Sequence, residues 1–174
     1  MAELLLPGYV WRQGSGLDRA LLVKFMQRTY QELHPDFEFT HLAQTVDGYL
    51  STETPIWWVE CVAGVSTCSE LSHSVDIPRG RDSFGSPIAC LWIGNAVDQS
   101  TGDRHAHIFL LYVMPHHRRR GIGSALMRHA EAWAQKRGDR QIGLQVFQTN
   151  QPALDLYTKL GYQTQSIWMV KSIG

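Results

Sequence analysis

Apolar and polar positions alternate along this chain in short, separable segments. Tyr9-Val10-Trp11-Arg12 reads as a strand closed by the Gly14-Ser15-Gly16 turn. Asp18 is placed to cap a helix running to about His34, with Ala20, Leu21, Phe25 and Leu33 as its apolar positions and Pro35 as its stop. A second helix is predicted from about Thr40 to Leu50, then strands over Pro55 to Val62 and Ile88 to Val97. Between those strands, 64–86 is rich in Ser, Gly and Pro and shows no period, so it reads as a flexible insert or a functional flap. His105 to Met114 is apolar on both faces from Ile108 onward, the pattern of a central buried strand. Ser124 to Arg137 is an amphipathic helix with Ile122, Leu126, Ala130 and Trp133 on one face, ended by Gly138. A strand over Ile142 to Phe147, a short helix over Pro152 to Leu160 and a last strand over Tyr162 to Val170 complete the pattern. The order β-α-α-β-β-β-α-β-α-β predicts a mixed α+β fold in a single domain, 1–174.

Composition agrees with a globular protein. The 174 residues are 44% hydrophobic and 18% charged, which excludes a disordered chain or a coiled coil. No apolar run approaches the roughly 18 to 20 residues of a membrane span, and Leu4-Leu5-Leu6 is too short for a signal-peptide core. Three cysteines, Cys61, Cys68 and Cys90, are odd in number and lack CxxC spacing, which points to a reduced, cytoplasmic setting. The net charge of zero hides an asymmetry: 1–103 carries six Lys+Arg against thirteen Asp+Glu, and 104–174 carries ten against three. The two halves therefore suit different partners, an anion in the second and a cation in the first, unless both excesses only solvate separate faces.

Candidate chemistry concentrates in Val113-Met114-Pro115-His116-His117-Arg118-Arg119-Arg120-Gly121-Ile122-Gly123-Ser124. A buried strand ends at Pro115 and a helix opens after Gly123. A helix N-terminus offers unpaired N–H groups and positive dipole, glycines allow close backbone approach, and arginines add charge-assisted hydrogen bonds. That combination suits a pyrophosphate. The Walker spacing is absent, and G-x-G-x-x-G fails because Leu126 stands where its last glycine would be. Taken alone, three arginines also fit a solvated turn or a nucleic-acid patch, but the zero net charge and the lack of an extended basic face disfavour nucleic acid. Histidines 105, 107, 116 and 117 match no metal-ligand spacing, so no metal is expected.

These residues resemble the GCN5-related N-acetyltransferases (GNAT), whose [QR]-x-x-G-x-[GA] element matches Arg118-x-x-Gly121-x-Gly123. Asn150-Gln151-Pro152-Ala153-Leu154-Asp155-Leu156-Tyr157-Thr158-Lys159-Leu160-Gly161-Tyr162 is similar to the family's N-x-x-A-x-x-x-Y-x-x-x-G-[FY] element. The resemblance is strong over 105–170 and weaker over 9–62. It implies a central, mostly antiparallel sheet with one splayed strand pair and about four flanking helices. It further implies acetyl-CoA as cosubstrate, wrapped at its pyrophosphate by Arg118, Arg119, Arg120, Gly121, Ile122, Gly123 and Ser124. The main chain at Leu111, Val113 and Met114 would bond the pantetheine as an added strand would. Asn150 would hold the pantetheine arm, cap its helix, or do both. Tyr157 is either a core tyrosine or the acid that protonates the leaving thiolate.

Direct attack of an amine on a thioester needs a neutral nucleophile, a polarised carbonyl and an acid for the sulfur. The resemblance implies an acidic base three or four positions before Val113, where this chain has Leu110 and Phe109. His107 lies further back, on the face of Phe109, Leu111 and Val113 by period-two counting, and is either the base or a surface histidine. Deprotonating a lysine-type amine at pH 7 costs roughly 4.6 kcal/mol, against about 1 for an α-amine. A chain without the carboxylate therefore suits a low-pKa amine or a water relay.

The acceptor side is implied to lie at His34-Pro35-Asp36-Phe37-Glu38-Phe39, where His34 and Asp36 are the candidate substrate residues. The expected function is acetyl transfer to an amine of a small molecule or peptide, with no membrane partner. The alternative is a catalytically silent CoA-binding regulatory module. A homodimer paired through the last strand or through Trp57-Trp58 is compatible with the pattern.

Overall fold

The computed structural model describes residues 2–62 and 86–173. The insert expected at 64–86 falls outside them save for its last residue. The described residues form a mixed α+β fold: β1 (Glu3–Leu6), β2 (Tyr9–Gln13), α1 (Arg19–Leu33), α2 (Leu42–Tyr49), β3 (Ile56–Cys61), β4 (Ala89–Val97), β5 (Arg104–Val113), α3 (Ile122–Arg137), β6 (Ile142–Leu144) and α4 (Gln151–Lys159). The strands make one sheet in chain order, antiparallel from β1 to β5, with β6 parallel to β5.

Two apolar layers cover this sheet because the strand side chains alternate between them. Trp57, Val59, Leu91, Ile93, Ala106 and Ile108 pack with Ile122, Leu126, Met127 and Ala130 of α3. Ile56, Trp58, Cys90, Trp92, Leu110 and Tyr112 pack with Leu22, Phe25 and Met26 of α1 and with Leu42 and Val46 of α2. β4 is buried on both faces from Ala89 to Gly94, which is why its sequence is nearly continuous in apolar residues.

α1 is anchored by a polar cluster at its start. The Asp18 side chain does not cap α1; it accepts from the Ser15 N–H at 2.8 Å, in a capping box around the turn Gly16–Asp18. Arg12 then bridges Asp18, at 3.3 Å, to the buried carboxylate of Glu60, at 2.9 Å. This network ties α1 to β2 and β3, and the apolar face of the helix is Leu22, Phe25 and Met26, while Ala20 is exposed.

Several boundaries differ from the sequence expectations. β1 was not foreseen; its apolar Leu5 and Leu6 pack on the α3-side core. β6 stops at Leu144 rather than Phe147. No strand forms over Tyr162 to Val170, where Ile167, Trp168, Met169 and Val170 are exposed. Pairing of two copies through Trp57-Trp58 is closed, because β3 has neighbours on both edges and both indoles are buried. Cys61 is disulfide-bonded, against the expectation of three reduced thiols, and Cys90 is a free, buried thiol.

β5 contains one irregularity with consequences for the site. Trp92 faces Leu110 and Ile93 faces Ile108, so Phe109 is an extra residue without a partner. Its ring covers Gly94, where an added Cβ would stand 1.9 Å from Phe109 Cε2. The bulge also moves the following residues by one face. Ala106 and Ile108 point to α3, Phe109 and Leu110 to α1 and α2, and Leu111 packs back on the α3 side.

The α3-side core includes a histidine in an aromatic box. The His129 ring meets Trp11 at 3.8 Å and Trp57 at 4.7 Å, and its Nε2 is buried without a hydrogen-bond partner. Burial, aided by Lys136, pushes its pKa down to about 4. The unfolded chain takes up this proton near pH 6.5 while the folded chain refuses it until about 4. The stability contributed at neutral pH is therefore lost progressively as pH falls between those values. Urea unfolding at stepped pH should show this slope, and His129→Phe should reduce it.

Candidate functional site: an open strand edge beside a helix N-terminus

β5 is paired with β4 along its whole length, from Ala89↔Val113 to Val97↔Arg104. On its other edge β6 reaches only Ala106 to Ile108. From Phe109 to Val113 the strand therefore has, among the described residues, a neighbouring strand on one side alone. Met114 fixes the direction of the main chain, since its N–H donates to Ile88 O on the β4 side at 2.8 Å. By alternation, Val113 and Leu111 turn their N–H and C=O groups to the open side. Arg118 marks that side, its Nε donating to Val113 O at 2.8 Å.

The open edge runs into the arginine loop. A 3-10 turn over Pro115–His117 leads to Arg119 at φ +63° and Gly121 at φ +84°, two successive reversals into left-handed backbone. Gly121 starts α3, and no side chain caps that helix. The first intrahelical bond is Ala125 N–H to Gly121 O at 2.9 Å, so the N–H groups of Ile122, Gly123 and Ser124 belong to the unpaired first turn. A Cβ on Gly123 would stand 3.3 Å from Leu156 Cδ2, which shows how closely α4 packs on this N-terminus.

The three arginines have three different environments, where the sequence reading grouped them on one anion. Arg120, exposed like its neighbours, reaches across to β2: Nη1 donates to Tyr9 Oη at 3.0 Å, and that hydroxyl lies 3.2 Å from His117 Nδ1. Burial, then Arg120 and His116, hold the His117 ring below its ordinary pKa. Arg118 is shared between Val113 O and Glu32, which it meets at 2.6 Å, and its guanidinium lies 5.5 Å from the centre of the Tyr112 ring. Arg119 is exposed and makes no hydrogen bond or ion pair among the described residues.

The remaining candidates lie around the same edge. Asn150 Oδ1 accepts from Ala153 N–H at 3.3 Å, so it does cap α4. Tyr157, half-buried on the inner face of α4, packs on the α3-side core 5.9 Å from the Tyr162 ring. Burial pushes the Tyr157 phenol up to about 12, which keeps it protonated and able to donate across the physiological range. Leu111 and Met114 are half-buried beside Val113. His107 is not on the face of Val113, because the Phe109 bulge breaks the period-two count. Its ring lies 5.7 Å from Phe109 on the α1 and α2 side, and burial followed by His105 lowers its pKa below 6.5.

On that second side, His34 ends α1 and meets Phe147 at 5.3 Å and Phe37 at 5.6 Å, while Asp36 is exposed in the following turn. Tyr30 stacks on Phe39 at 5.6 Å and meets Phe147 at 6.4 Å. The end of α1 thus spans the mouth between β5 and the chain leaving β6. Sequence reading missed Glu32, Tyr9 and Phe147 here. Glu32 carries no motif, and its pairing with Arg118 spans 86 positions.

Comparison with known proteins decides the family. Residues 26–162 match the model of the acetyltransferase (GNAT) family. The chain belongs to the GNAT family. An uncharacterized N-acetyltransferase of Methanocaldococcus jannaschii is 36% identical over 111 residues, 55% of this chain and 47% of that protein. Streptothricin acetyltransferase of Streptomyces lavendulae is 39% identical over 67 residues, 38% of this chain and 35% of that protein. This GNAT chain thus spans half or less of the length of these relatives. Its fold matches a predicted acetyltransferase from Clostridium acetobutylicum solved with acetyl-CoA, with TM-score 0.68, 17% identity and coverage of 94% of this chain and 96% of that one. It also matches an aminoglycoside acetyltransferase from an uncultured soil metagenomic sample in complex with sisomicin, with TM-score 0.65, 12% identity and coverage of 97% and 98%.

The division among the arginines predicts opposite effects on stability. Arg120→Ala removes the bond to Tyr9 and should cost about 1 kcal/mol. Arg119→Gly relieves left-handed backbone and should add up to about 1 kcal/mol. Urea denaturation of the two variants beside the parent protein checks both signs.

Proposed function

We propose that the chain, read as one N-acetyltransferase domain, transfers the acetyl group of acetyl-CoA to an amine by direct attack. The observation that carries this reading is the continuity of one surface. The edge of β5 at Leu111 and Val113, which no strand of the described residues covers, leads without a break into the left-handed loop and the uncapped start of α3. An extended amide chain ending in a pyrophosphate has the matching order of groups: amides for a strand edge, then an anion for N–H groups and dipole. The residues present fit that ligand. Gly121 and Gly123 keep the loop open to it, and Arg119 is exposed and without an ion pair among the described residues.

Acetyl-CoA supplies the activated acyl group. The protein's part is to orient the thioester along the open edge of β5 and to supply a proton to the departing sulfur. Tyr157 is suited to the second task, because its phenol holds its proton and has no hydrogen-bond partner among the described residues. The Asn150 side chain keeps its amide nitrogen for the pantetheine arm while its oxygen caps α4. In this reading the ammonium proton goes, directly or through water, to His107, whose ring is held below its ordinary pKa by burial and His105.

The acceptor is read as a cationic amine of a small molecule or peptide. Between Arg28 and Arg79 the sequence contains no Lys or Arg, while Glu32, Asp36, Glu38, Asp47 and Glu53 fall in that interval. Phe37, Tyr49 and Phe147 are exposed at 67%, 56% and 46% on that side. Carboxylates beside aromatic faces attract an ammonium. The missing carboxylate at Phe109 and Leu110 is the one feature that favours a CoA-binding module without catalysis.

Calorimetric titration with CoA and acetyl-CoA, followed by thiol release over sisomicin, spermidine and a peptide with a free N-terminus, separates these readings. Micromolar binding lost in Gly121→Asp, amine-dependent thiol release, and a fall of about 100-fold in kcat with Tyr157→Phe are expected. Binding without release from any amine establishes the silent module, and no binding removes the reading altogether.

A further inference from the structure

The far end of the sheet carries a second concave surface that the proposed chemistry does not use. An open cleft of about 420 Å³ lies between the loop that follows α2 and the last turn of α3, at the start of β5. Arg104 on its wall and Val113 at the open edge stand at opposite ends of β5, about 30 Å apart at roughly 3.3 Å per residue. The cleft is therefore separate from the surface assigned to the cosubstrate.

One wall of the cleft is already built and neutral. The Asp139 carboxylate, only 8% exposed, accepts from the Ala106 N–H of β5 at 3.1 Å and holds Arg137 Nη2 at 2.6 Å. Arg137 Nη1 donates to Asn95 Oδ1 at 2.6 Å, and its guanidinium lies 4.5 Å from the centre of the Trp133 ring. Three partners thus fix this arginine, and Asp139 cancels its charge. Because Asn95 accepts through Oδ1, its Nδ2 is left as a donor without a partner among the described residues.

Two charges of the lining remain. Neither the Arg104 guanidinium nor the Glu53 carboxylate makes a hydrogen bond or ion pair among the described residues. Glu53 belongs in sequence to the acidic stretch after Arg28, but it lines this cleft. A simple anion drawn to Arg104 would also meet Glu53, and a simple cation drawn to Glu53 would meet Arg104. A small ligand carrying both charges satisfies both groups. Trp133 and Pro55, each half-buried, supply apolar surface in the same cleft, and its volume lies in the range of small-molecule sites.

We infer that this cleft binds a free α-amino acid with an apolar side chain. Its carboxylate pairs with Arg104 and Asn95 Nδ2, its ammonium with Glu53, and its side chain lies against Trp133 and Pro55. The site stands independently of the transferase reading.

Calorimetric titration with L-leucine, L-methionine and L-phenylalanine tests this, followed by the N-acetyl and amide forms of the tightest of them. At least one amino acid should bind with Kd below about 1 mM, and loss of either charge should weaken it about 10-fold or more. Arg104→Gln should abolish the preference over the amide, and Glu53→Gln the preference over the N-acetyl form. Both residues are exposed, and thermal melting checks that the variants fold. In amide NMR spectra the Trp133 indole N–H and the Asn95 and Arg104 amides should shift, while Leu111, Val113 and Gly121 stay in place. No binding tighter than about 1 mM by any of the three, or binding that both variants retain, would overturn the inference. Shifts centred on His107 and Phe109 would overturn it as well, because the amino acid would then be engaging the proposed transfer site.

Discussion

The loss of pairing between β5 and β6 after Ile108 is the constraint on which the site depends. A sheet normally satisfies both edges of its interior strands, and an unpaired main chain beside a core is tolerated only where something else can bond to it. Here the same strand that leaves its edge open is also the most firmly held on its other side, by nine register pairs to β4. A rigid backbone with one free edge is therefore presented to the cleft. Everything else at the site is arranged along it: the left-handed loop continues from its end, α3 begins where that loop closes, and α4 packs against the first turn of α3 through Leu156 and Gly123.

The two faces of the sheet do different work around that edge. On the α3 side, Tyr157 is buried enough to keep its proton, and the Tyr9–His117–Arg120 chain fixes the loop to β2. On the α1 side, the aromatic rings of Tyr30, His34 and Phe147 group at the end of α1, and the carboxylate of Glu32 holds Arg118 of the loop and Tyr112 of β5. The Phe109 bulge, seated on Gly94, is the point at which β5 exchanges the faces it shows to these layers. It puts His107 with the second group and Val113 with the first.

How far the sequence was legible follows from the range of each interaction. Helices α1 to α4 and strands β2 to β5 were read near their true bounds, because hydrophobic period, caps and breakers are local signals. The loop 118–124 was equally legible, since strand end, glycines and helix start adjoin in sequence. Three errors came from interactions that sequence does not display. The bulge at Phe109 depends on a glycine in the neighbouring strand, so counting by two from His107 to Val113 gave the wrong face. The strand expected at Tyr162 to Val170 had an adequate pattern but found no partner in the sheet. The arginines looked equivalent because their partners Tyr9 and Glu32 lie 111 and 86 positions away.

If the open edge of β5 binds an extended amide-bearing ligand, its main-chain amides must change their exchange when that ligand arrives. Amide hydrogen exchange at Leu111 and Val113, followed with and without CoA, reads this change residue by residue. Fast exchange at these two amides in the free protein and marked slowing on CoA addition are expected, with Tyr112 and Met114 slow throughout. Protection of Leu111 and Val113 before any ligand is added, or CoA-dependent protection confined to other strands, would contradict binding at this edge.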